Sequence, residues 1–327
     1  MESVPENIAA FTVLSGGFLS VIQDSGRFGC AHLGISSAGA ADSASYRLGN
    51  LLVGNSSDAP ALEMTLVGGS FRVESGCIVA LTGSNFAPTL DGRPAPLWQS
   101  FELRPGQTLV FGATRNGARC YLCVEGGIVV PPVFGSASTH VLTHLGGFCG
   151  RGLRPADVLN IAPHHPSVPS VSRIVRTEIL ERLFLPGPLR VTDGPQISNF
   201  SEDMRSTFFS SDFVVKEDSN RMGLRLDGPA ITHADGGELI TEGASVGTIQ
   251  IPPDGYPILL FVEHPTTGGY AKIASVVSAD FHRVGQLRPR DVVRFEHVTH
   301  ETALALLSER EVLLQQQRCI QTARGTP

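Results

Sequence analysis

The sequence predicts a mainly β protein of about two domains, and three observations lead to this prediction. The chain has 327 residues, whereas one domain usually contains roughly 150. Its 36 glycines and 22 prolines exceed the share found in an average soluble protein. Short apolar runs with period-two alternation recur along the chain, and turn residues bound most of them. Many short strands joined by tight turns are typical of barrels or sandwiches rather than of a doubly wound α/β sheet.

Strands are predicted where β-branched and aromatic residues alternate with polar ones. The predicted strands are Ser70–Val73, Cys77–Thr82, Thr108–Ala113, Arg119–Val124, Val158–Ile161, Arg190–Thr192, Asp212–Lys216, Thr248–Ile251, Pro257–Glu263, Ala271–Val277 and Val292–His297. Helices are predicted where a capping residue precedes apolar residues at helical spacing. The predicted helices are Asp42–Leu52, Arg173–Phe184, Asn199–Phe208 and Thr299–Arg318, with Asp42 and Thr299 as capping residues.

A Leu-Arg-Pro segment followed by a short apolar run occurs three times, at Leu103–Phe111, Leu153–Ile161 and Leu287–Phe295. Each occurrence reads as a turn that leads into a strand, because proline presets the turn. The segment recurs either because such a turn is common before the strands of a barrel or because part of the chain was duplicated. The common turn is the favoured interpretation. Two of the segments end the two halves of the chain.

A Pro- and Ser-rich stretch, Ala162–Ser170, lies between the two halves and marks the junction of two domains. The predicted division is an N-terminal domain at 11–165, a linker at 166–188, a C-terminal domain at 189–310 and a flexible tail at 311–327.

Charge and hydropathy exclude several classes of protein. Lys and Arg number 25 and Asp and Glu number 31, so the net charge of −6 argues against nucleic-acid binding. The longest apolar runs, such as Ile258–Val262, are far shorter than the ~20 residues that a bilayer requires. No membrane segment is therefore predicted. Residues Met1–Glu6 lack the basic and apolar regions of a signal peptide, so we expect a cytoplasmic protein.

Six cysteines are present, and Cys120 and Cys123 have the spacing of a CxxC motif. Both lie in the predicted strand Arg119–Val124, where residues three apart point to opposite faces. The two thiols would therefore not share a ligand, and reduced, mostly buried thiols are expected. No constellation of metal-binding residues is found in the sequence, and no metal site is predicted.

Four groups of motifs occur in a characteristic order. They are Val21–Gly29 with Gly34–Asp42; Asn50–Asn55 with Ala61–Glu63; Gly126–Ile128 through Gly135–Thr139; and the segments between Glu242 and Asp280, including Gly247–Pro252 and Thr266–Ile273. Together they resemble the biotin-dependent carboxyltransferase family, also called allophanate hydrolase subunit 2. That family includes the C subunit of bacterial 5-oxoprolinase and resembles the carboxyltransferase part of urea carboxylase.

The resemblance implies two tandem cyclophilin-like β-barrel domains with a few short helices. It also implies a partner protein similar to allophanate hydrolase subunit 1, the 5-oxoprolinase B subunit, and a possible third component similar to the 5-oxoprolinase A subunit. ATP is the cofactor expected for the complex. The chain has no Ala-Met-Lys-Met biotinylation motif, so biotin, if it is used, is expected on a separate carrier.

In the N-terminal half, the resemblance directs attention to Gln23, Asp24 and Arg27 as substrate-binding residues. An arginine can bind a carboxylate with two hydrogen bonds, and a glutamine can bind both sides of an amide or ureido group. Lactams, ureas and the ureido ring of biotin all present that edge. The alternative is that Asp24 and Arg27 form a structural pair that fixes a loop.

In the C-terminal half, Thr266, Thr267 and Tyr270 are candidate substrate-binding residues, because two hydroxyls, glycine N–H groups and a phenol could bind an anion. A Gly-Gly hairpin turn is the alternative for this segment. Lys272 lies two positions after Tyr270 and could stabilise a developing oxyanion, so it is a candidate catalytic residue. A solvated lysine is the alternative.

Glu242, Gln250 and Glu263 are the remaining polar candidates. Gln250 points away from Ile249 and Ile251 and faces either solvent or an interior, where it would need hydrogen-bond partners. Glu263 is a candidate catalytic base and Glu242 a candidate substrate-binding residue; His264, beside Glu263, could also act as a base. We expect the candidates of both halves to line one polar cleft.

These observations predict an enzyme subunit that acts with a partner. The favoured function is that of an ATP-dependent amidohydrolase, a hydrolase of the 5-oxoprolinase type that acts on a cyclic amide or urea-type substrate. One alternative is a carboxyltransferase that moves a carboxyl group from carboxybiotin to a urea or amide nitrogen. Another is a binding module that regulates a partner without catalysis, because the sequence contains no unmistakable nucleophile.

Overall fold

The computed structural model describes residues 8–162, 172–233 and 238–322. Its architecture is mainly β with a few short helices, which confirms the predicted fold class. Within these residues, no helix is both long enough and apolar enough to cross a membrane. The predicted junction after Ala162, residues 166–171 of the predicted linker and residues 323–327 of the predicted tail lie outside the described residues.

The described chain clusters into two compact units. The first contains residues 8–27, 38–162, 172–183 and 313–322, and the second contains residues 28–37, 184–233 and 238–312. This division differs from the predicted boundaries in three places. Residues 28–37 cluster with the second unit, whereas residues 172–183 and 313–322 cluster with the first.

Short strands form two sheets in the first unit. The strands are β1 (Ile8–Ser15), β2 (Leu19–Gln23), β3 (Ala61–Thr65), β4 (Ser70–Val73), β5 (Cys77–Gly83), β6 (Thr89–Leu90), β7 (Arg93–Pro94), β8 (Ser100–Leu103), β9 (Thr108–Val110), β10 (Arg119–Val124), β11 (Ile128–Val129), β12 (Val158–Ile161) and β13 (Arg173–Val175). One sheet has the order β11-β12-β1-β4-β9-β6-β7 and the other the order β2-β3-β10-β5-β8. β13 lies in neither of them.

The apolar side chains of both sheets form one buried cluster between them. β10 shows how the alternation works, because Cys120 and Leu122 belong to this cluster. Cys123 lies on the opposite face, where its Sγ is 3.8 Å from the carbonyl oxygen of Tyr46. The two thiols therefore point apart, as the strand pattern predicted.

Helix α1 (Ser43–Val53) packs against β5 and β10 of the first unit. It begins where predicted, because the Asp42 carboxylate accepts hydrogen bonds from the backbone N–H groups of Ala44 and Ser45. It ends at Gly54, whose φ of 82° is the left-handed conformation that glycine adopts readily. A second helix, α2 (Thr177–Leu183), follows β13 in a region predicted to be entirely helical.

In the second unit, the strands form a sheet that closes on itself. They are β14 (Leu189–Asp193), β15 (Phe213–Val215), β16 (Gly223–Asp227), β17 (Glu238–Gly243), β18 (Thr248–Ile251), β19 (Ile258–Leu260), β20 (Thr267–Val276), β21 (Val292–Val293) and β22 (Phe295–His297). Their order is β21-β15-β16-β19-β18-β20-β14-β22, and β17 pairs with β20 beside this path. Only Arg294 separates β21 from β22 in the chain, so the two ends of the order are joined and the sheet forms a nearly closed barrel.

Three helices accompany this barrel: α3 (Glu202–Ser210), α4 (Phe281–Val284) and α5 (His300–Leu313). The hydroxyl of Thr299 accepts the N–H of Thr302 at 3.2 Å, so Thr299 caps α5 as predicted. The predicted helix Thr299–Arg318 is interrupted after Leu313, and a short helix, α6 (Gln316–Cys319), leads into a last strand, β23 (Ile320–Thr322). β23 pairs antiparallel with β13, so these residues are part of a sheet rather than of a flexible tail.

The three Leu-Arg-Pro segments form the same turn. In each, the residue directly after proline has a positive φ, and these residues are Gly106 (86°), Ala156 (73°) and Arg290 (74°). Their backbone N–H groups donate to the carbonyl oxygens of a valine on the neighbouring strand, which are Val73, Val13 and Val215 respectively. This identical bonding confirms that the repeated segment is a turn that leads into a strand.

Candidate functional site

The candidate residues fall in both units, and each set is described within its own unit. In the first unit, Asp24 follows β2 and its carboxylate is almost fully buried. Oδ1 accepts a hydrogen bond from the hydroxyl of Ser136 at 2.7 Å and another from the hydroxyl of Ser138. Oδ2 accepts the backbone N–H of Ala137 at 2.6 Å. Asp24 therefore binds the loop at residues 136–138 with both carboxylate oxygens.

Arg27 binds the same loop, and its side chain is only 1% exposed. Its Nε donates to the carbonyl oxygen of Val133 at 2.9 Å, and its Nη2 donates to the carbonyl oxygen of Ser138 at 2.8 Å. These contacts match the alternative of a structural role in fixing a loop. Asp24 and Arg27 thus both bind residues 133–138, through backbone groups and serine hydroxyls. We call residues 133–138 the serine loop.

Gln23 ends β2 and is completely buried. Its Nε2 donates to the carbonyl oxygen of Thr139 at 2.9 Å. Its Oε1 is buried and accepts no hydrogen bond from any residue that the structure describes. Of the three candidates in the first unit, Gln23 thus retains one open acceptor.

In the second unit, Lys272 is held by a carboxylate and an amide. Its Nζ donates to Oε1 of Glu242 at 2.6 Å, and the side chain of Lys272 is only 3% exposed. The Nε2 of Gln196 donates to the same oxygen at 2.8 Å, while its Oε1 accepts the backbone N–H of Lys272 at 3.1 Å. The hydrogen bonds from Lys272 and Gln196 lower the pKa of Glu242, so its carboxylate is ionised at neutral pH. Lys272 is therefore a buried, paired cation rather than a solvated one.

Gln250 lies beside Lys272, because the two residues are register partners on β18 and β20. A register shift between Ile249 and Gln250 leaves Ile273 as an extra residue on β20, which marks a β-bulge. Gln250 is only 4% exposed, so it faces the interior. Its buried Nε2 donates no hydrogen bond to any group in the described part of the chain.

Gly268 connects Gln250 with Glu242. A Cβ at Gly268 would lie 2.6 Å from Nε2 of Gln250, so a side chain at this position would displace the amide from its present place. Gly268 is also the register partner of Glu242 on β17. The side chains of Glu242, Gln250 and Lys272 thus converge at one place, which we call the amide cluster.

Glu263, the predicted catalytic base, lies in a buried ion pair. Its Oε1 accepts a hydrogen bond from Nε of Arg221, and both side chains are almost inaccessible. The backbone N–H of Glu263 also donates to the carbonyl oxygen of Arg221 at 2.8 Å. The carboxylate of Glu263 is thus engaged by Arg221, which favours a structural role over proton transfer.

His264, the next residue, has an open ring nitrogen. Its Nδ1 donates to the carbonyl oxygen of Pro265 at 2.8 Å, which leaves Nε2 of the neutral ring with a lone pair. No group among the described residues binds that nitrogen. Burial lowers the pKa of His264, so its ring is neutral at pH 7.

The remaining candidates lie around the start of β20. Thr267 and Tyr270 are exposed, Tyr270 to 40%, and the carbonyl oxygen of Thr266 accepts the N–H of Ala244 at 2.9 Å. Gly268 and Gly269 lie inside β20 and pair with β17, so the alternative of a Gly-Gly hairpin turn is wrong. Their lack of side chains serves close approach instead of a turn.

Sequence reasoning missed Gln196 and Arg221, which bind two of the candidate residues. Gln196 follows Gly194 and Pro195 directly after β14, and a Cβ at Gly194 would lie 2.2 Å from the carbonyl oxygen of Lys272. That glycine is a weak signal that the chain passes close to another backbone. Arg221 gave no signal, because its pairing with Glu263 depends on the long-range pairing of β16 with β19.

Comparison with known proteins identifies the family. A family model described as "Carboxyltransferase domain, subdomain A and B" matches residues 33–297. The chain is 33% identical to the C subunit of 5-oxoprolinase from Haemophilus influenzae over 302 residues, which cover 92% of this chain and 95% of that protein. It is 32% identical to urea amidolyase of Saccharomyces cerevisiae over 324 residues, which cover 94% of this chain and 18% of that protein.

Solved structures agree with these sequence matches. The crystal structure of Kluyveromyces lactis urea amidolyase superposes with a TM-score of 0.86 at 31% identity, covering 96% of this chain and 20% of that chain. The chain belongs to the carboxyltransferase-domain family, as the motifs indicated. Its relatives are enzymes or subunits of enzymes.

Proposed function

We propose that this chain is a subunit of an ATP-dependent complex that hydrolyses a cyclic amide, as the name 5-oxoprolinase describes. The observation that carries the proposal is the match to the 5-oxoprolinase C subunit, which covers 95% of that protein and 92% of this chain. Every large part of that relative therefore has a counterpart here. The proposed partners are proteins similar to the other 5-oxoprolinase subunits, because a protein named as a subunit acts within a complex.

The amide cluster supports a substrate with an N–C=O group. Lys272 supplies a buried positive charge, and Gln250 supplies an N–H group without a partner among the described residues. Two donors beside each other can stabilise an oxygen that gains negative charge when a carbonyl is attacked. This is the chemistry that opening a lactam requires.

Reconstitution tests the proposal directly. This chain is purified together with its partner subunits, and ATP hydrolysis is measured with 5-oxo-L-proline and with a panel of other lactams and ureas. We expect ATP hydrolysis that depends on a lactam and releases the ring-opened amino acid. If no lactam or urea stimulates ATP hydrolysis by the assembled complex, the enzymatic proposal fails and the regulatory binding module is favoured.

A carboxyltransferase is the second candidate function. The family model is described as a carboxyltransferase domain, and the K. lactis urea amidolyase structure is similar over 96% of this chain. In that reaction, a carboxyl group would pass from carboxybiotin on a separate carrier to an amide or urea nitrogen. Inhibition of the native complex by avidin would favour this candidate, and full activity in the presence of avidin would favour the hydrolase.

A further inference from the structure

We propose that two turns of the first unit, with Phe134 and Leu142 at their tips, dock into an uncharged apolar pocket on a partner subunit of the proposed complex. We call residues 133–136 the phenylalanine turn and residues 140–145 the leucine turn. The inference rests on the proposed function only insofar as that function requires a partner. It goes further by assigning the surface that the partner contacts.

The phenylalanine turn is a two-residue hairpin. The N–H of Val133 donates to the carbonyl oxygen of Ser136 at 2.8 Å, and the N–H of Ser136 donates to that of Val133 at 3.3 Å. The two residues between them, Phe134 and Gly135, have φ values of 50° and 75°. Positive φ at both central positions defines a type I′ turn, which favours Asn-Gly or Asp-Gly. A bulky aromatic residue is unfavourable in this conformation.

Another turn of the same unit has the preferred sequence. Asp91 and Gly92 join β6 to β7, with φ values of 50° and 78°. The Asp91 carboxylate also accepts the N–H of Thr108 at 2.8 Å, so this side chain serves the fold. Phe134 occupies the equivalent position of the phenylalanine turn, yet it is 54% exposed. Packing among the described residues therefore gives no sufficient reason for an aromatic residue there.

Buried charged side chains hold the phenylalanine turn in place. Nε of Arg27 donates to the carbonyl oxygen of Val133 at 2.9 Å, and Asp24 accepts the hydroxyl of Ser136 at 2.7 Å. Both ends of the turn are thus bound to side chains that are almost fully buried. The backbone of the tip is fixed before a partner binds, and such preorganisation lowers the cost of association.

The leucine turn carries a second apolar tip. The N–H of His140 donates to the carbonyl oxygen of Leu145 at 2.8 Å, and the N–H of Leu145 donates to that of His140 at 3.2 Å. Leu142, in the loop between them, is 58% exposed. The N–H of Gly147 donates to the carbonyl oxygen of Ala137 at 3.1 Å, so the chain after this turn is bonded to the serine loop. Both tips therefore belong to one bonded segment.

The segment with both tips has no charged side chain. Asp, Glu, Lys and Arg are absent from Gly126 to Gly150, although they make up 17% of the chain. The next residue, Arg151, pairs with Asp157 at 2.7 and 2.8 Å. The cores of protein interfaces are depleted of charged residues and enriched in aromatic ones. Membrane surfaces attract lysines and arginines beside apolar side chains, and this segment lacks them.

Shape favours a different protein over a second copy of this chain. In a dimer with two-fold symmetry, the same surface of both copies meets itself, so exposed tips would face each other. An aromatic tip fits a concave partner instead, because the side chains that dominate binding energy lie in well-packed pockets. The chain is 33% identical to a protein named as a subunit of 5-oxoprolinase, which favours another subunit as the owner of the pocket.

Phe134→Asn separates docking from folding. Asparagine is favoured in a type I′ turn, so the isolated variant should unfold at the temperature of the wild type or at a higher one. The probe is the purified partner protein similar to the 5-oxoprolinase B subunit. Its Kd for the variant, measured by isothermal titration calorimetry, should be at least tenfold higher than for the wild type. Phe18→Asn removes another phenylalanine of the first unit, 68% exposed, and should leave the Kd unchanged.

Leu142→Ser tests the second tip and should also raise the Kd, while the double variant with Phe134→Asn should show no measurable binding. Two measurements on the wild-type chain alone test the other occupants. Binding to vesicles of phosphatidylcholine and phosphatidylglycerol that both substitutions abolish would assign the tips to a membrane and overturn the inference. A dimer in analytical ultracentrifugation that both substitutions dissociate would assign them to a second copy and also overturn it.

The outcomes separate this inference from the proposed function. If the complex assembles but no lactam or urea stimulates ATP hydrolysis, the proposed function fails, whereas a tenfold weaker assembly of Phe134→Asn still supports the docking surface. If the complex hydrolyses a lactam and both variants assemble like the wild type, the docking surface is overturned and the proposed function stands. A wild-type chain that does not bind the partner protein also overturns the inference.

Discussion

Single residues in the second unit combine burial with polarity, and His264 is the clearest case. Its ring is 8% exposed, its Nδ1 bonds to the carbonyl oxygen of Pro265, and burial lowers its pKa. The sequence offered Glu263 and His264 as alternative bases. The structure engages Glu263 with Arg221 and leaves the lone pair of His264 open, so His264 is the better candidate base of the two.

The lowered pKa of His264 predicts a loss of stability in acid. The unfolded chain has the ordinary histidine pKa of about 6.5 and so binds a proton at a higher pH than the folded chain does. The part of the free energy of unfolding that depends on neutral His264 is therefore fully present above a pH of about 6.5. It declines as the pH falls towards the lower pKa of the folded state. His264→Gln should make the free energy of unfolding less dependent on pH in this range, which urea titrations at several pH values would measure.

A nitrogen-edited NMR titration provides the control for this prediction. The neutral ring should carry its proton on Nδ1, and its titration midpoint should lie below the ordinary histidine value of about 6.5. A midpoint at or above the ordinary histidine value would contradict the prediction.

Left-handed residues in the repeated turn give a second prediction at this scale. Ala156 has a φ of 73°, whereas the equivalent position in another copy of the turn is Gly106 with a φ of 86°. A residue with a Cβ is strained in this conformation by about 1 kcal/mol. Ala156→Gly should therefore stabilise the protein by up to ~1 kcal/mol, and Gly106→Ala should destabilise it by a similar amount.

Chemical unfolding of both variants measures this opposite pair of effects. A Cβ at Gly106 would meet no atom within 4 Å, so crowding does not obscure the backbone effect there. Destabilisation by both substitutions, or stabilisation by both, would show that the backbone conformation is not the cause.

At the scale of elements, the serine loop is attached to β2 by two buried charged side chains. Asp24 accepts hydrogen bonds from Ser136, Ala137 and Ser138, and Arg27 donates to two carbonyl oxygens of the same loop. The motifs that indicated the family include both the segment with Asp24 and Arg27 and the serine loop, but the sequence could not show that the two bind each other. They are more than 100 residues apart, and their contact depends on the folding of the whole unit.

Arg27→Met should therefore destabilise the first unit and loosen the serine loop. The substitution leaves the buried carbonyl oxygen of Ser138 and the partly buried one of Val133 without their donor, and a buried group left without its partner costs about 1–3 kcal/mol. The free energy of unfolding should fall by at least about 1–3 kcal/mol, and hydrogen exchange at residues 133–139 should accelerate. Arg72→Met, at an exposed ion pair with Glu74, is the control and should have little effect. Unchanged exchange in the loop would contradict the positioning role.

The strand predictions show why some elements can be predicted locally and others cannot. Ser70–Val73, Arg119–Val124, Val158–Ile161 and Thr248–Ile251 have the predicted bounds. The sequence did not predict β3, which is buried at every position and contains Glu63, so it lacks the alternation of a half-buried strand. Similarly, β2 is buried at nearly every position. Burial on both faces is not the whole reason, because β10 is also buried at every position and was predicted from its uninterrupted apolar run Cys120–Val124, whereas Glu63 interrupts β3.

At the scale of the whole molecule, the sequence indicated the family and the mainly β architecture, because these depend on many weak motifs in a fixed order. The partners of the candidate residues depend instead on long-range pairing of strands. Arg221 reaches Glu263 because β16 pairs with β19, and Gln250 reaches Lys272 because β18 pairs with β20. Such pairings leave no local trace in the sequence, so the amide cluster could be predicted as a set of residues but not as a connected site.

The C-terminal segment gives the last prediction, because the structure and the sequence differ there. The sequence predicted a flexible tail at 311–327, whereas β23 pairs with β13 through Arg173, Ile174 and Val175. The N–H of Arg176 also donates to the carbonyl oxygen of Cys319 at 2.9 Å. Deletion of residues 320–327 should therefore expose β13 and lower the unfolding temperature by several degrees, since 1 kcal/mol corresponds to roughly 2–4 °C in a protein of this size. Deletion of residues 323–327 alone keeps β23, so this protein should unfold at a higher temperature than the shorter one. Equal unfolding temperatures for the two truncated proteins would show that this strand adds nothing to stability.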